Sequence, residues 1–225
     1  MIPLRDVNPR STTPVVNVLV ILACAATFLY QVSLGPRAGQ AFVYAFGMIP
    51  ARVPMLFTSQ TVTLSQTFFP LLTSIFLHGG WLHLIGNMWF LWVFGDNIED
   101  RLGHFRYLIF YVVCGVGAGV VHTLANLDSV VPAVGASGAI SGVMGAYIVL
   151  YPRSRVLTLV PLLFLWFTVQ LPAVVFLAFW FLIQFLSGVA ALGMHSSGGV
   201  AWWAHIGGFI LGALLVVGYR RRSVW

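Results

Sequence analysis

The chain has 225 residues, of which 60% are hydrophobic and only 7% are charged. Charged residues make up about a quarter of a typical globular domain, so this composition excludes an ordinary soluble protein. The formal net charge is +6, and all eleven residues of the lysine and arginine class are arginines. In a soluble protein this balance would suggest nucleic acid binding, but here the arginines stand at the ends of apolar runs, where membrane orientation explains them better.

The first apolar run, Val15 to Leu34, is predicted to be a retained transmembrane span, because it is too long for a cleaved signal peptide. Residues Gly35 to Gly80 form a long, mostly apolar loop that is rich in phenylalanine and interrupted by Pro50, Pro54 and Pro70. We expect this first outer loop to lie in the membrane interface, where aromatic rings are favoured, rather than to cross the bilayer.

Five further spans are predicted along the rest of the chain. They are Trp81 to Gly95, Tyr107 to Leu127, Ala136 to Tyr151, Pro172 to Leu192 and Trp202 to Tyr219. Residues Val156 to Gln170 are apolar too, and either an interfacial segment or the lower part of a kinked span is compatible with them. Cys24 and Cys114 both fall within apolar spans and are expected to be free thiols. The expected fold is an all-α polytopic membrane protein of six transmembrane helices, forming a single domain over residues 1–225.

Six spans place both termini on one side of the membrane. Nine of the arginines fall on that side, and only Arg37 and Arg52 lie opposite. The positive-inside rule therefore predicts that both termini are cytoplasmic. A full span within residues 156–170 would break this parity. The glycine-rich loop Gly193 to Ala201, which precedes the last span, is expected to be either a mobile cap over the outer end or a plain connection.

Four polar side chains from three different spans are expected at one depth. Counted from the arginines that end the spans, at about 1.5 Å per helical residue, they lie roughly 21–27 Å above the cytoplasmic side. They are Ser137 on span four, His205 on span six, and His83 and Asn87 on span two. In a hydrocarbon core of about 30 Å this is the outer part of the membrane. Polar side chains at such depth normally face the protein interior or a water-filled cavity.

Small residues spaced four apart predict close packing of spans four and six. They are Gly138, Gly142 and Ala146 on span four and Ala204, Gly208 and Gly212 on span six. Helix packing alone accounts for most of them. Close approach of these two spans is nevertheless what a contact between Ser137 and His205 requires.

These side chains fit nucleophilic catalysis. A serine hydroxyl needs a base to accept its proton, and His205 is the best-placed one for Ser137. Attack on a peptide carbonyl creates an oxyanion, which the Asn87 amide, a ring N–H of His83 and the backbone N–H of Ser137 could stabilise. None of the five acidic residues falls at this depth, so a Ser–His dyad is predicted rather than a triad. A zinc protease is not expected, because the chain has no His-Glu-x-x-His motif.

Four motifs stand in order along the chain. They are His83-x-x-x-Asn87, Glu99-Asp100-Arg101-Leu102-Gly103, Gly135-Ala136-Ser137-Gly138 and Ala204-His205-x-x-Gly208-x-x-x-Gly212. On these motifs the chain resembles the rhomboid intramembrane serine proteases over nearly its whole length. The resemblance implies a compact bundle of six transmembrane helices with a water-filled cavity open to the outer side. It also implies cleavage of single-pass proteins within or next to their transmembrane helices, often after a small residue.

Carried over by residue, the resemblance makes Ser137 the nucleophile, His205 the general base, and His83 and Asn87 the oxyanion-stabilising side chains. No cofactor or metal is implied, and the partners are transmembrane protein substrates and the lipid bilayer, not nucleic acid. The compact chain without lysine suggests a prokaryotic inner membrane. Substrate-binding residues and oligomeric state are not indicated by the sequence.

The sequence departs from well-studied bacterial members at two points. Ser141 stands four residues after the nucleophile, where those members have a tyrosine that packs on the histidine, and the loop from Gly35 to Gly80 has no tryptophan. Two other functions are weighed against proteolysis. A non-catalytic relative would typically lack Ser137 or His205, and a transporter or haem carrier would be expected to show inverted repeats or facing histidine pairs.

Overall fold

The computed structural model describes residues 1–59, 61–162, 165–191 and 200–220. The helices are α1 (Val15–Ser33), α2 (Gly35–Phe46), α3 (Arg52–Thr58), α4 (Leu64–Phe68), α5 (Pro70–Thr73), α6 (Trp81–Leu102), α7 (His104–Ala125), α8 (Ser137–Leu150), α9 (Ala173–Ala191), α10 (Trp202–Leu215) and α11 (Val217–Arg220). The strands are β1 (Ile2–Asp6), β2 (Arg155–Leu162) and β3 (Leu165–Pro172).

The helices form a membrane protein, as the sequence predicts. Among the described residues, α1, α7, α9 and the segment Trp202–Tyr219 are each long and apolar enough to cross a bilayer. Helix α6 qualifies together with the preceding segment Leu64–Phe76, from which it is bent by 74°. Helix α8 is shorter but equally apolar. The predicted helical polytopic fold is thus confirmed, with four or five crossings by length and composition, and six spans remain compatible.

The first outer loop, residues 35–80, folds into the short helices α2 to α5. Arg52 holds them together, because its guanidinium donates to the carbonyl oxygens of Tyr44 at 2.8 Å and Gln66 at 3.1 Å. A two-residue bridge then ties this loop to the segment before α8: the backbones of Met48 and Ala133 exchange hydrogen bonds of 3.1 and 2.7 Å. The loop therefore braces the start of α8.

Residues 155–162 and 165–172 form the antiparallel strands β2 and β3; the strands were not predicted, and they exclude the kinked helical span that was one of the two alternatives. Strand β1 joins the hairpin antiparallel to β2, with Ile2 opposite Leu159, to give a sheet in the order β1-β2-β3. An apolar run of this length does not distinguish strand from helix by periodicity, which is why the sheet was missed. Because β2 and β3 are paired strands and not a spanning helix, the parity predicted for six spans stays a prediction that this segment does not break.

The first and the last described segments of the chain lie at the same end of the helix bundle. Hydroxyls and backbone amides of Ser11 and Thr12 donate to the Asp100 carboxylate at the end of α6. The Arg101 guanidinium donates to the Tyr219 carbonyl oxygen at 2.9 Å. The sheet lies at this end as well, because the Asn97 amide of α6 donates to Asp6 of β1. The side of the protein to which the sequence analysis assigned most of the arginines thus corresponds to one end of the helix bundle.

Asp6 gives this end a pH-dependent stability. Its carboxylate accepts hydrogen bonds from Asn97 and from the Tyr147 hydroxyl, and burial raises the pKa of Asp6 from 3.8 to about 6. A raised pKa in the folded state stabilises the protein below pH 3.8, and this stabilisation is lost as the pH rises through about 6.

We therefore expect Asp6→Asn to flatten the dependence of thermal stability on pH between about 4 and 7. Since solvent partly screens this carboxylate, the expected gain at pH 7 is about 1 kcal/mol. Thermal unfolding in detergent across this range measures it, with Asp128→Asn, a change in an exposed loop, as the control. An unchanged pH profile in Asp6→Asn would contradict the expectation.

Candidate active site

Helices α8 and α10 touch backbone to backbone. A β-carbon added to Gly208 would lie 2.0 Å from the carbonyl oxygen of Gly138, and one added to Gly212 would lie 2.0 Å from that of Gly142. No side chain fits in such a gap, so the small residues predicted to pack these two helices do so. The first turns of α8 and α10 are thereby brought side by side.

A cavity of about 270 Å³ opens beside this contact. The four polar residues expected at one depth all line it: Ser137 from α8, His205 from α10, and His83 and Asn87 from α6. Its apolar walls are Leu82, Gly86 and Phe90 of α6, Ile140 and Met144 of α8, and Trp180 of α9. Three separate helices therefore deliver their polar groups to one chamber with mostly apolar walls.

The donors of α6 converge on the turn that precedes Ser137. Gly135 has a φ of +131°, and a β-carbon there would lie 2.8 Å from Nε2 of His83 and 3.5 Å from Nδ2 of Asn87. Only glycine leaves that space free, so the ring and the amide can reach the Gly135–Ser137 backbone. The Gly135 N–H itself donates to the Ser74 carbonyl oxygen at 2.9 Å, which fixes the turn.

His83 is held as a donor toward this space. The backbone N–H of Gly79 donates to Nδ1 of His83 at 3.3 Å, which makes Nδ1 the acceptor and leaves the ring proton on Nε2. Nδ2 of Asn87 is buried and has no hydrogen-bond partner among the described residues. The backbone N–H of Ser137, in the first turn of α8, has no carbonyl partner within its own helix. Three N–H groups are thus available at one place.

His205 is enclosed by two indole rings and one amide. The ring centroid of Trp180 lies 6.0 Å away at an interplanar angle of 36°, and that of Trp202 lies 6.2 Å away, edge-on. Nδ1 of His205 is 2.8 Å from Oε1 of Gln184. These contacts supply the ring support that the Ser141 position lacks, since the Ser141 hydroxyl instead donates to the Ser137 carbonyl oxygen at 2.6 Å.

The Ser137 hydroxyl and His205 face one cavity but share no hydrogen bond within the described part of the chain. Such contacts are often long without substrate and shorten in the reacting complex. No carboxylate lines the cavity, and the buried Glu99 accepts instead from the backbone N–H groups of Val16 and Asn17 at the start of α1. The described residues include no group of three or more metal-binding side chains.

Two residues of the site were not identified from the sequence, Trp180 and Gln184. Both lie on α9, and Gln184 carries a detectable signal, since it is a single amide in an apolar span. The glycine-rich loop expected as a cap or a connection, Gly193 to Ala201, falls mostly outside the described residues.

Comparison with known proteins supplies independent findings. A family model described as the Rhomboid domain matches residues 65–222. The chain is 31% identical over 145 residues to RHOMBOID-like protein 6, mitochondrial, of Arabidopsis thaliana, which covers 64% of this chain and 41% of that protein. It is 26% identical over 208 residues to the presenilin-associated rhomboid-like protein, mitochondrial, of Bos taurus, which covers 85% of this chain and 49% of that protein.

A bacterial protein is similar as well. The chain is 34% identical over 127 residues to YdcA of Bacillus subtilis, whose name assigns it provisionally to the rhomboid proteases, and the match covers 53% of this chain and 62% of that protein. The chain thus spans between two fifths and two thirds of these relatives. Because mitochondrial proteins stand among them, the expected prokaryotic inner membrane finds no support here.

Proposed function

Because this chain belongs to the rhomboid family, we propose that it is an intramembrane serine endopeptidase. Its reaction is hydrolysis of peptide bonds in or next to the transmembrane segments of membrane proteins. The observation that carries the proposal is the cavity in which Ser137, His205, His83 and Asn87 meet. The chain is an integral membrane protein, so its substrates reach this cavity from within the bilayer or from its surface.

The first half of the reaction acylates Ser137. The Ser137 oxygen attacks the substrate carbonyl carbon while His205 accepts the hydroxyl proton. The negative charge moves to the carbonyl oxygen, where Nδ2 of Asn87, Nε2 of His83 and the backbone N–H of Ser137 donate to it. The carbon–nitrogen bond then breaks, and His205 gives its proton to the leaving amine.

The second half releases the product. Water attacks the Ser137 ester, His205 takes one water proton, and the same three donors again hold the oxyanion. When the intermediate collapses, the carbon–oxygen bond to Ser137 breaks and His205 returns the proton to the serine. No carboxylate among the described residues lines the cavity, so the proposed cycle uses a Ser–His dyad.

The orientation of the protein in the membrane is inferred from the two ends of the helix bundle. The sheet, the ends of α6 and α11 and most of the described arginines lie at one end of the bundle, which we place in the cytoplasm or its equivalent compartment. Both termini then share that side. The cavity lies at the start of α8, at the opposite end of that helix from the sheet, and therefore opens to the outer side.

Fluorophosphonate labelling tests the proposed chemistry. In purified protein we expect one covalent adduct on Ser137, located by mass spectrometry, because the probe reacts only with an activated serine. The adduct should be lost in His205→Ala and kept in His104→Ala, a histidine at the start of α7 that contacts Glu99, far from the cavity. A wild-type protein that takes no label would identify a non-catalytic member of the family instead.

A further inference from the structure

Gln184 is a polar side chain in an apolar helix and is expected to need a hydrogen-bond partner. Helix α9 is otherwise almost wholly apolar, with Ser187 as its one other polar side chain. Most of its large side chains face outward, yet Gln184 is only 6% exposed and turns into the cavity. A buried amide at membrane depth costs free energy when it is left without hydrogen bonds. Its place in the cavity therefore points to a specific contact.

That contact is with His205. Oε1 of Gln184 lies 2.8 Å from Nδ1 of His205, whose own exposure is 8%. A carbonyl oxygen can only accept, so Nδ1 must carry the ring proton. The other nitrogen, Nε2, is then left without a proton and is free to accept one. The amide thus selects the tautomer that a base for Ser137 requires.

The indole rings cannot make this selection. Trp180 and Trp202 limit how the His205 ring can tilt, but an indole face is at most a weak acceptor for an N–H group, far weaker than an amide oxygen. Trp180 and Gln184 are four residues apart and so lie on one face of α9. One helix therefore supplies both the ring contact and the hydrogen bond that orient His205.

We propose that Gln184 is a positioning residue that holds His205 with its proton on Nδ1, as a neutral counterpart of the acid in a Ser–His–Asp triad. This inference rests on the proposed protease function. Gln184 contacts the ring of His205, and the proposed role acts through that ring rather than on the reacting atoms. A neutral amide suits this site because a carboxylate buried in the membrane would carry a much larger desolvation cost.

Three variants test the role by kinetics on a reconstituted transmembrane substrate. Gln184→Met keeps the size of the side chain without an acceptor, and we expect kcat to fall roughly 10- to 100-fold with KM within about twofold. Gln184→Glu restores an acceptor oxygen and should recover most of kcat. Ser187→Ala, which removes the other polar group of α9, should leave both constants unchanged. Equal kcat in Gln184→Met and wild type, or no recovery in Gln184→Glu, would overturn the proposal.

Nitrogen NMR of the wild-type protein tests it without any variant. With ¹⁵N-labelled histidine, the His205 ring should show a protonated Nδ1 and an unprotonated Nε2, and the assignment comes from His205→Ala. A proton on Nε2 would overturn the proposal even if Gln184→Met failed to fold. The two proposals fail on different results. If the wild type is labelled at Ser137 but Gln184→Met keeps the wild-type kcat, the protease function stands and only the role of Gln184 is overturned.

Discussion

Replacing Ser137 by alanine is expected to abolish cleavage of a transmembrane substrate, with a loss of roughly 10⁴-fold or more in kcat. The alanine removes the oxygen that we propose forms the acyl intermediate, while the neighbouring donors can still bind the carbonyl. His205→Ala should cost about as much, since residues that act as one unit are not additive. The measurement is steady-state cleavage in proteoliposomes, with the amount of folded protein fixed by size-exclusion chromatography.

Ser141→Ala is the matched control for these variants. It removes a serine hydroxyl one turn away on the same helix, where the hydroxyl bonds only to the Ser137 carbonyl oxygen. We expect activity within about twofold of wild type, because a hydrogen bond of this kind contributes about 1 kcal/mol at most to the fold. Undiminished cleavage by Ser137→Ala, or a loss seen only in Ser141→Ala, would mean that the nucleophile is misassigned.

Gly208→Ala is expected to damage both stability and activity. Its new methyl group would lie 2.0 Å from the backbone oxygen of Gly138, and neither helix can yield by a simple side-chain movement. We expect a loss of about 2–4 kcal/mol in the free energy of unfolding. Activity should fall at least tenfold in the protein that still folds, because separating α8 from α10 also separates Ser137 from His205.

Gly218→Ala provides the comparison, since a β-carbon at that position meets nothing within 4 Å. Its thermal unfolding temperature and its activity should match those of the wild type. Thermal unfolding in detergent and cleavage in proteoliposomes measure the two effects separately. A Gly208→Ala protein as stable as Gly218→Ala would show that α8 and α10 are farther apart than their glycines indicate.

The helices, and the presence of Ser137, His205, His83 and Asn87 around one cavity, could be predicted from the sequence for a physical reason. Membrane thickness fixes the depth at which a residue lies once the end of its span is known, so counting from arginines placed Ser137 and His205 in one layer. Small residues spaced four apart then indicated which spans touch. Both arguments use distances along single helices, which sequence encodes directly.

Two features were not predicted from the sequence. Strands β2 and β3 lie in an apolar run whose periodicity does not distinguish strand from helix, and the strand that extends their sheet, β1, lies about 150 residues earlier. Gln184 faces His205 because of how α9 rotates against α10, and the sequence of α9 does not encode that rotation. The missing acid suggested a dyad, and although Gln184 stands out in the sequence as a single amide in an apolar span, its contact with His205 is visible only in three dimensions.

The three-stranded sheet also sets an order of assembly. Strand β1 is synthesised well before its partner β2, which leaves the ribosome only after helices α1 to α8. Strands β2 and β3 adjoin each other and can pair as soon as they emerge, whereas β1 must wait with its hydrogen-bonding groups open. Strand β1 therefore joins the sheet late in biogenesis. Until then the growing protein presents an unpaired strand to chaperones and to other nascent chains.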